Sequence, residues 1–305
     1  MKRWLVAKIQ VGSAFAGGFL LAVTGWVTPA VAGDPFRDTN PHPIGESTEA
    51  AFRAVFQHGN YAYALVHLQK ARASEPDEPM HYALQASVEY LESDWDAFLT
   101  YSEKTLESAR DLVKEDPLRG HTYMAVGHFL IGAHMVLTED VGGVAKALGK
   151  LRPIFKNLSA AEEISPQDPE LNLIRGYMDL MLAVNLPFAN PDEAIARMEE
   201  HGKPAYVAYR GIAIGYRDLE KADQAREYVD KALAIHPHNP DLLYLKAQIL
   251  LHQGEKEKSL QYFQAALARR SQLLPQISRQ IAYEHCRLAT DLAERDRSVC
   301  HQLLD

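Results

Sequence analysis

The segment Ala225-Arg-Glu-Tyr-Val-Asp-Lys-Ala-Leu-Ala-Ile-His-Pro237 constrains this chain most, because its spacing recurs. A small residue, a large apolar one, a second small one and a closing proline return at Ala64, Leu68, Ala71 and Pro76. The stretch from Pro240 repeats the pattern with Ala247, Leu250, Gly254, Phe263 and Ala266. Just upstream, Tyr209, Ile212, Ala213 and Tyr216 keep the periodicity of a helix face. Small residues at such places let two helices approach closely, and a proline just past a helix end gives up an N–H that is not needed there. A period of about 34 residues therefore points to stacked helix pairs rather than to two ordinary globular domains.

Carried along the chain, the period gives units at 45–78, 79–117, 120–166, 169–205, 206–239 and 240–273. The second unit is stretched, and the third and fourth carry insertions around 138–149 and 184–189. These residues resemble the tetratricopeptide repeat, whose pattern holds an aromatic, Leu-Gly, Tyr, two alanines and a proline. Tyr82, Tyr123 and Tyr209 stand where that family has tryptophan, and Gly127 and Gly176 take its close-packed small position. The resemblance implies an all-α fold: a right-handed α-solenoid of about six helix-turn-helix units over 45–273, hollow on its inner side. Over 274–305 Ile277, Ile281, Leu288 and Leu292 form an apolar stripe that reads as a C-terminal capping helix.

Lys2, Arg3 and Lys8 precede an apolar run over 9–27, and Ala30-Val31-Ala32 follows it, so 1–32 reads as a cleavable export signal. An uncleaved membrane anchor is the alternative, since the run approaches the length that spans a bilayer. Gly17, Gly18, Gly25 and Pro29 suit cleavage better, leaving no stable span in the mature chain. Pro35, Pro41 and Pro43 make 33–44 an extended arm. Cleavage after Ala32 removes three basic residues and no acidic one, taking the formal net charge from −8 to −11. With no basic block beyond the leader, nucleic acid is excluded as a partner.

The two cysteines, Cys286 and Cys300, are too few for a disulfide scaffold or a cysteine zinc site. In an oxidising compartment they are expected to pair if the chain turns back between them; on one unbroken helix they would sit too far apart. Of thirteen histidines, His121, His128 and His134 share one predicted helix. Steps of seven and six separate them by about two turns, too far for one ion, so no metal and no cofactor is expected. The chain has no Gly-x-Ser-x-Gly, His-Glu-x-x-His, P-loop or Gly-x-Gly-x-x-Gly sequence, which argues against an enzyme.

The resemblance places the inward-looking side chains of each first helix in a groove. Carried over, they include Tyr90, Met124, His128, Leu173, Tyr177, Leu180, Met181, Arg210, Arg217 and Tyr244. The Lys and Asn clamp that the family uses for terminal carboxylates is not reproduced. Over 171–186 apolar residues circle the helix, which must therefore be covered all round, either by the insertions or arm of this chain or by a partner peptide. Arg210 and Arg217, two turns apart, either hold an acidic group of that partner or pair internally with Asp218, Glu220 or Asp223. The expected function is an exported, non-enzymatic scaffold that binds a protein segment in its groove, for assembly or maintenance of an envelope or photosynthetic complex. The alternative is a periplasmic carrier of a small apolar ligand linked to transport. Asp34-Pro-Phe-Arg and the phrase from Pro169 to Phe188 are similar to a secreted tetratricopeptide family of cyanobacteria, which implies the periplasm or the thylakoid lumen.

Overall fold

Four units, the second, third, fourth and sixth, begin alike: an acidic or amide side chain caps the first helix, and a proline fills its first turn. Glu78 accepts from the N–H of Met80 at 2.9 Å, Asp116 from Arg119 at 3.1 Å, Asp168 from Leu171 at 2.9 Å and Asn239 from Asp241 at 3.0 Å. The computed structural model describes residues 33–139, 141–185 and 190–303. The export signal expected over 1–32 and part of the insertion around 184–189 lie outside the described residues.

Among the described residues, thirteen α-helices form six hairpins and a cap. They are α1 (Glu46–Phe52) with α2 (Tyr61–Ser74), α3 (Pro79–Glu92) with α4 (Trp95–Leu112), and α5 (Pro117–Thr138) with α6 (Val141–Ile164). Then follow α7 (Pro169–Asn185) with α8 (Pro191–Glu200), α9 (Ala205–Asp218) with α10 (Ala222–Ile235), and α11 (Pro240–His252) with α12 (Lys256–Leu267). The cap is α13 (Pro275–Leu292) and a 3-10 turn, Arg297–Leu303. The insertion expected near 138–149 is no loop: it lengthens both helices of the third hairpin, to 22 and 24 residues against 14 in α9 and α10.

The glycines read as close-packing positions do that work. A Cβ on Gly127 would stand 2.8 Å from the backbone of Leu106, and one on Gly176 would stand 2.1 Å from Met198. No larger residue fits at Gly127 without moving main chain.

The row of hairpins also closes on itself, which the repeat pattern did not announce. The π-turn Arg53–Gln57 after α1 packs on α9, the short 3-10 turn Arg270–Gln272 packs on α2, and α13 packs on α3. The Asn239 amide donates to the Phe56 carbonyl at 3.3 Å across this junction. One apolar core accordingly runs from Phe36 and Ile44 in the arm through the fifth and sixth hairpins to Leu288 in the cap, with a smaller cluster around Leu158 and Leu171.

Candidate functional site

The N-terminal arm is packed into the fold at the starts of the first helices. Phe36 and Ile44 are buried, and Phe36 meets the Phe52 ring edge-on at 4.9 Å. Between them Arg37 donates to Asp34 at 2.7 Å, to Asp168 at 2.8 Å and to Glu170 at 3.0 Å. Glu170 also accepts from the Arg119 Nε at 3.0 Å and from the Tyr123 hydroxyl at 2.8 Å. Arg119 in turn grips both oxygens of Glu78, at 2.7 and 2.8 Å. His42 pairs with Asp116. A buried ionic chain thus ties residues 34–42 to the first-helix ends of the second, third and fourth units. Burial works against both guanidinium charges, yet Glu170 with Asp168 holds Arg37 protonated and Glu170 with Glu78 does so for Arg119. Burial raises Asp168 above the usual carboxylate range, against the pull of Arg37.

In the fourth unit the predicted groove residues are partly covered by the chain itself, though by α9 and not by the insertions or the arm. Leu173 and Leu180 are buried. The Tyr177 hydroxyl donates to the Val207 carbonyl at 2.8 Å, and its ring lies where a Cβ on Gly211 would be, 2.4 Å away. Gly215 does the same for Leu180. These glycines bring α9 onto α7, so the apolar circle around α7 is covered there by the chain itself. Arg210 is buried 3.8 Å from Asp241, and Tyr244 is fully buried and donates to Glu284 at 2.7 Å. Tyr90 and Met124 are half-buried; Tyr90 packs against Trp95 and Phe98, and burial pushes its hydroxyl up to about 12. His128 is half-buried, with its pKa lowered by burial and by Lys150 and Arg110.

Asp241 carries a testable consequence. Burial pushes its carboxyl from an ordinary 3.8 up to about 7, only partly offset by Arg210 and a hydrogen bond from Tyr61. The folded protein keeps this proton up to about pH 7, while the unfolded chain releases it near pH 4, so the group's contribution to stability falls as pH climbs through that window. In urea unfolding, the stability of Asp241→Asn relative to wild type should therefore rise from pH 4 to pH 7 and level off above. A difference that stays constant with pH would remove Asp241 from the account.

Besides a polar hollow beside the arm, two concave surfaces stay open among the described residues. The first is the C-terminal end of the predicted groove, about 390 Å³ in volume, between α9, α11 and α13. Its floor holds Arg217, whose Nε donates to Asp218 at 2.8 Å and Nη1 to Gln248 at 2.6 Å, so the internal pairing of this arginine is realised. Leu251, His252, Lys256, Tyr283 and Arg287 line the walls, and the Arg287 guanidinium lies 5.6 Å from the Tyr283 ring centre. The second, of similar volume, lies where the C-terminal ends of α5 and α7 meet α6, and Met181 is in its wall.

Cys286 and Cys300 form a disulfide with their α-carbons 5.7 Å apart, because the chain turns after α13 and returns along it. The described residues contain no group of His, Cys, Asp and Glu able to hold a metal ion, and His121 contacts Asn157 at 2.9 Å. The arm network escaped sequence reasoning. Its signals were present: an acid before three of the proline-led first helices, Arg119 two residues inside one of them, and Arg37 in the Asp34-Pro-Phe-Arg phrase.

Fold and surfaces together define a helical repeat protein, an α-solenoid of tetratricopeptide-type hairpins with its N-terminal arm tied to the starts of the first helices. Residues 210–273, where the repeat is most regular, match the tetratricopeptide repeat family. Among solved structures the chain is similar to a thermophilic tetratricopeptide repeat protein of Thermus thermophilus, at 18% identity and a TM-score of 0.32, covering 75% of this chain and 90% of that one. It is also similar to a tetratricopeptide repeat protein of Parabacteroides merdae, at 14% identity and a TM-score of 0.39, covering 85% of this chain and 98% of that one. None of the curated proteins matches.

Proposed function

We propose that the protein is an exported, non-catalytic scaffold that holds an extended segment of another protein in the C-terminal end of its inner groove. One observation carries this reading: the first-helix side chains of the fifth and sixth units still open onto a cleft there, while Leu173, Tyr177 and Leu180 of the fourth are packed against α9. Repeat stacks work through such extended inner surfaces. Leu251 and Tyr283 offer apolar contact, Gln248 and Gln280 offer amides to a peptide backbone, and Lys256 with Arg287 favours an acidic side chain in the segment. Export is supported by the basic, apolar and small-residue sequence of 1–32, and by a disulfide of the kind that persists in oxidising compartments. The periplasm or the thylakoid lumen fits both, with an envelope or photosynthetic complex as the setting. Leu173, Tyr177 and Leu180, against which a carrier would hold a small apolar ligand, pack on the protein's own α9.

Affinity capture from the exported fraction tests the reading. A protein retained by wild type and lost from Lys256→Glu plus Arg287→Glu supports it. Equal recovery by both moves the binding surface elsewhere.

A further inference from the structure

Helix α6 carries charge of the opposite sign to the rest of the molecule. The chain has a net charge of −8, yet between 141 and 161 it holds Lys146, Lys150, Arg152 and Lys156 and no acidic residue. Lys146 pairs with Glu139 at 2.6 Å, whereas Lys150, Arg152 and Lys156 make no ion pair among the described residues. On the same outward face Leu148 is 49% exposed and Phe155 38% exposed. Positions 148, 152, 155 and 156 are related by steps of three, four and seven, so they share one side of the helix. Leu148 is also a wall of the second open groove, about 390 Å³ in volume, facing Val136, Met181 and Leu182. Among the described residues Asn185 is the one polar side chain lining it, and its amide already donates to the Met181 carbonyl at 2.7 Å.

We propose that this face of α6, with the groove beside it, docks the protein on the surface of an anionic lipid bilayer. Exposed large apolar side chains gathered at one groove mark a contact surface, since they gain by leaving water. An extended peptide laid in that groove would bring N–H and C=O groups for which the lining has no partners, whereas acyl chains bring none. Lipid phosphates answer the unpaired Arg152 and Lys156 on this face. The acidic remainder of the molecule is repelled by the same membrane, so the charge pattern also sets the orientation, with α6 facing down. No helix among the described residues is long and apolar enough to cross a bilayer, and the contact is interfacial, with apolar side chains entering the headgroup boundary.

Vesicle co-sedimentation of the full chain tests this, using phosphatidylcholine vesicles with and without phosphatidylglycerol. Residues 1–32 are common to every variant, so their contribution cancels in the comparison. Wild type should bind the anionic vesicles better, with a gain that shrinks as salt rises. Arg152→Glu plus Lys156→Glu should weaken anionic binding roughly tenfold or more. Leu148→Glu plus Phe155→Glu should weaken it comparably. Lys70→Glu plus Lys114→Glu, two exposed changes of equal net charge on α2 and in the turn after α4, should leave it near wild type. The proposal fails if wild type does not prefer anionic vesicles, or if the α6 pairs bind as wild type does. It fails equally if the control pair loses as much as they do, or if sedimentation shows that Leu148→Glu plus Phe155→Glu only breaks a dimer while vesicle binding is unchanged.

Discussion

Arg119→Ala should cost the folded protein about 3–5 kcal/mol, the loss expected when one partner of a buried ion pair is removed. The side chain is 1% exposed and divides its donors between two carboxylates, gripping Glu78 with both terminal nitrogens and reaching Glu170 with Nε. Alanine would leave Glu78 buried and without its guanidinium, and Glu170 with Arg37 as its remaining cation. Because single-domain stability is about 5–15 kcal/mol, this loss is a large fraction of the whole. Arg119→Lys should fall between the two, since it restores the charge but not the two-pronged geometry. Urea unfolding followed by circular dichroism at 222 nm measures the series. A loss below about 1 kcal/mol for the alanine variant would mean that the network is satisfied by water or by rearrangement and does not hold the arm.

The hairpins were legible because close packing leaves a mark on composition. Gly127 must be glycine where Leu106 main chain presses against it, and the proline after Glu78, Asp116, Asp168 and Asn239 sets the start of a first helix. Helical periodicity at Ala225, Val229 and Ala232 needs only local sequence, and those residues are fully buried as the pattern requires. Closure was not legible. Whether the sixth unit returns to the first depends on small rotations summed over every interface, and no spacing records that sum. The site followed the same division. The circle of apolar residues over 171–186 was read as needing cover on all sides, and its first part is covered by α9 through Gly211 and Gly215. Its last part, Met181 and Leu182, instead lines the groove beside α6. Arg210 and Arg217 gave no hint in sequence of how deep they sit, because a long basic side chain two turns from another is as common at a surface as in a buried pair. Both are buried.

Closure changes what the disulfide is expected to do, and this gives the second large effect. Joining Cys286 to Cys300 closes a loop of roughly 15 residues, worth about 3 kcal/mol in the chain-entropy account. In an open repeat stack each unit touches only its neighbours, so loosening a terminal cap frays the cap and leaves the rest intact. Here α13 lies against α12 on one side and α3 on the other, and the Arg270–Gln272 turn before it touches α2. A cap that swings away must therefore uncover the first two hairpins as well. Cys286→Ser plus Cys300→Ser should lower stability by about 3 kcal/mol in a single transition, and thiol reduction of the wild type should reproduce the shift. Hydrogen exchange reads the coupling: amides of α2 and α3 should lose protection together with those of α13. If faster exchange is confined to residues 286–303 while α2 and α3 keep wild-type protection, the ends are adjacent but not energetically joined, and the protein unfolds as an ordinary open solenoid.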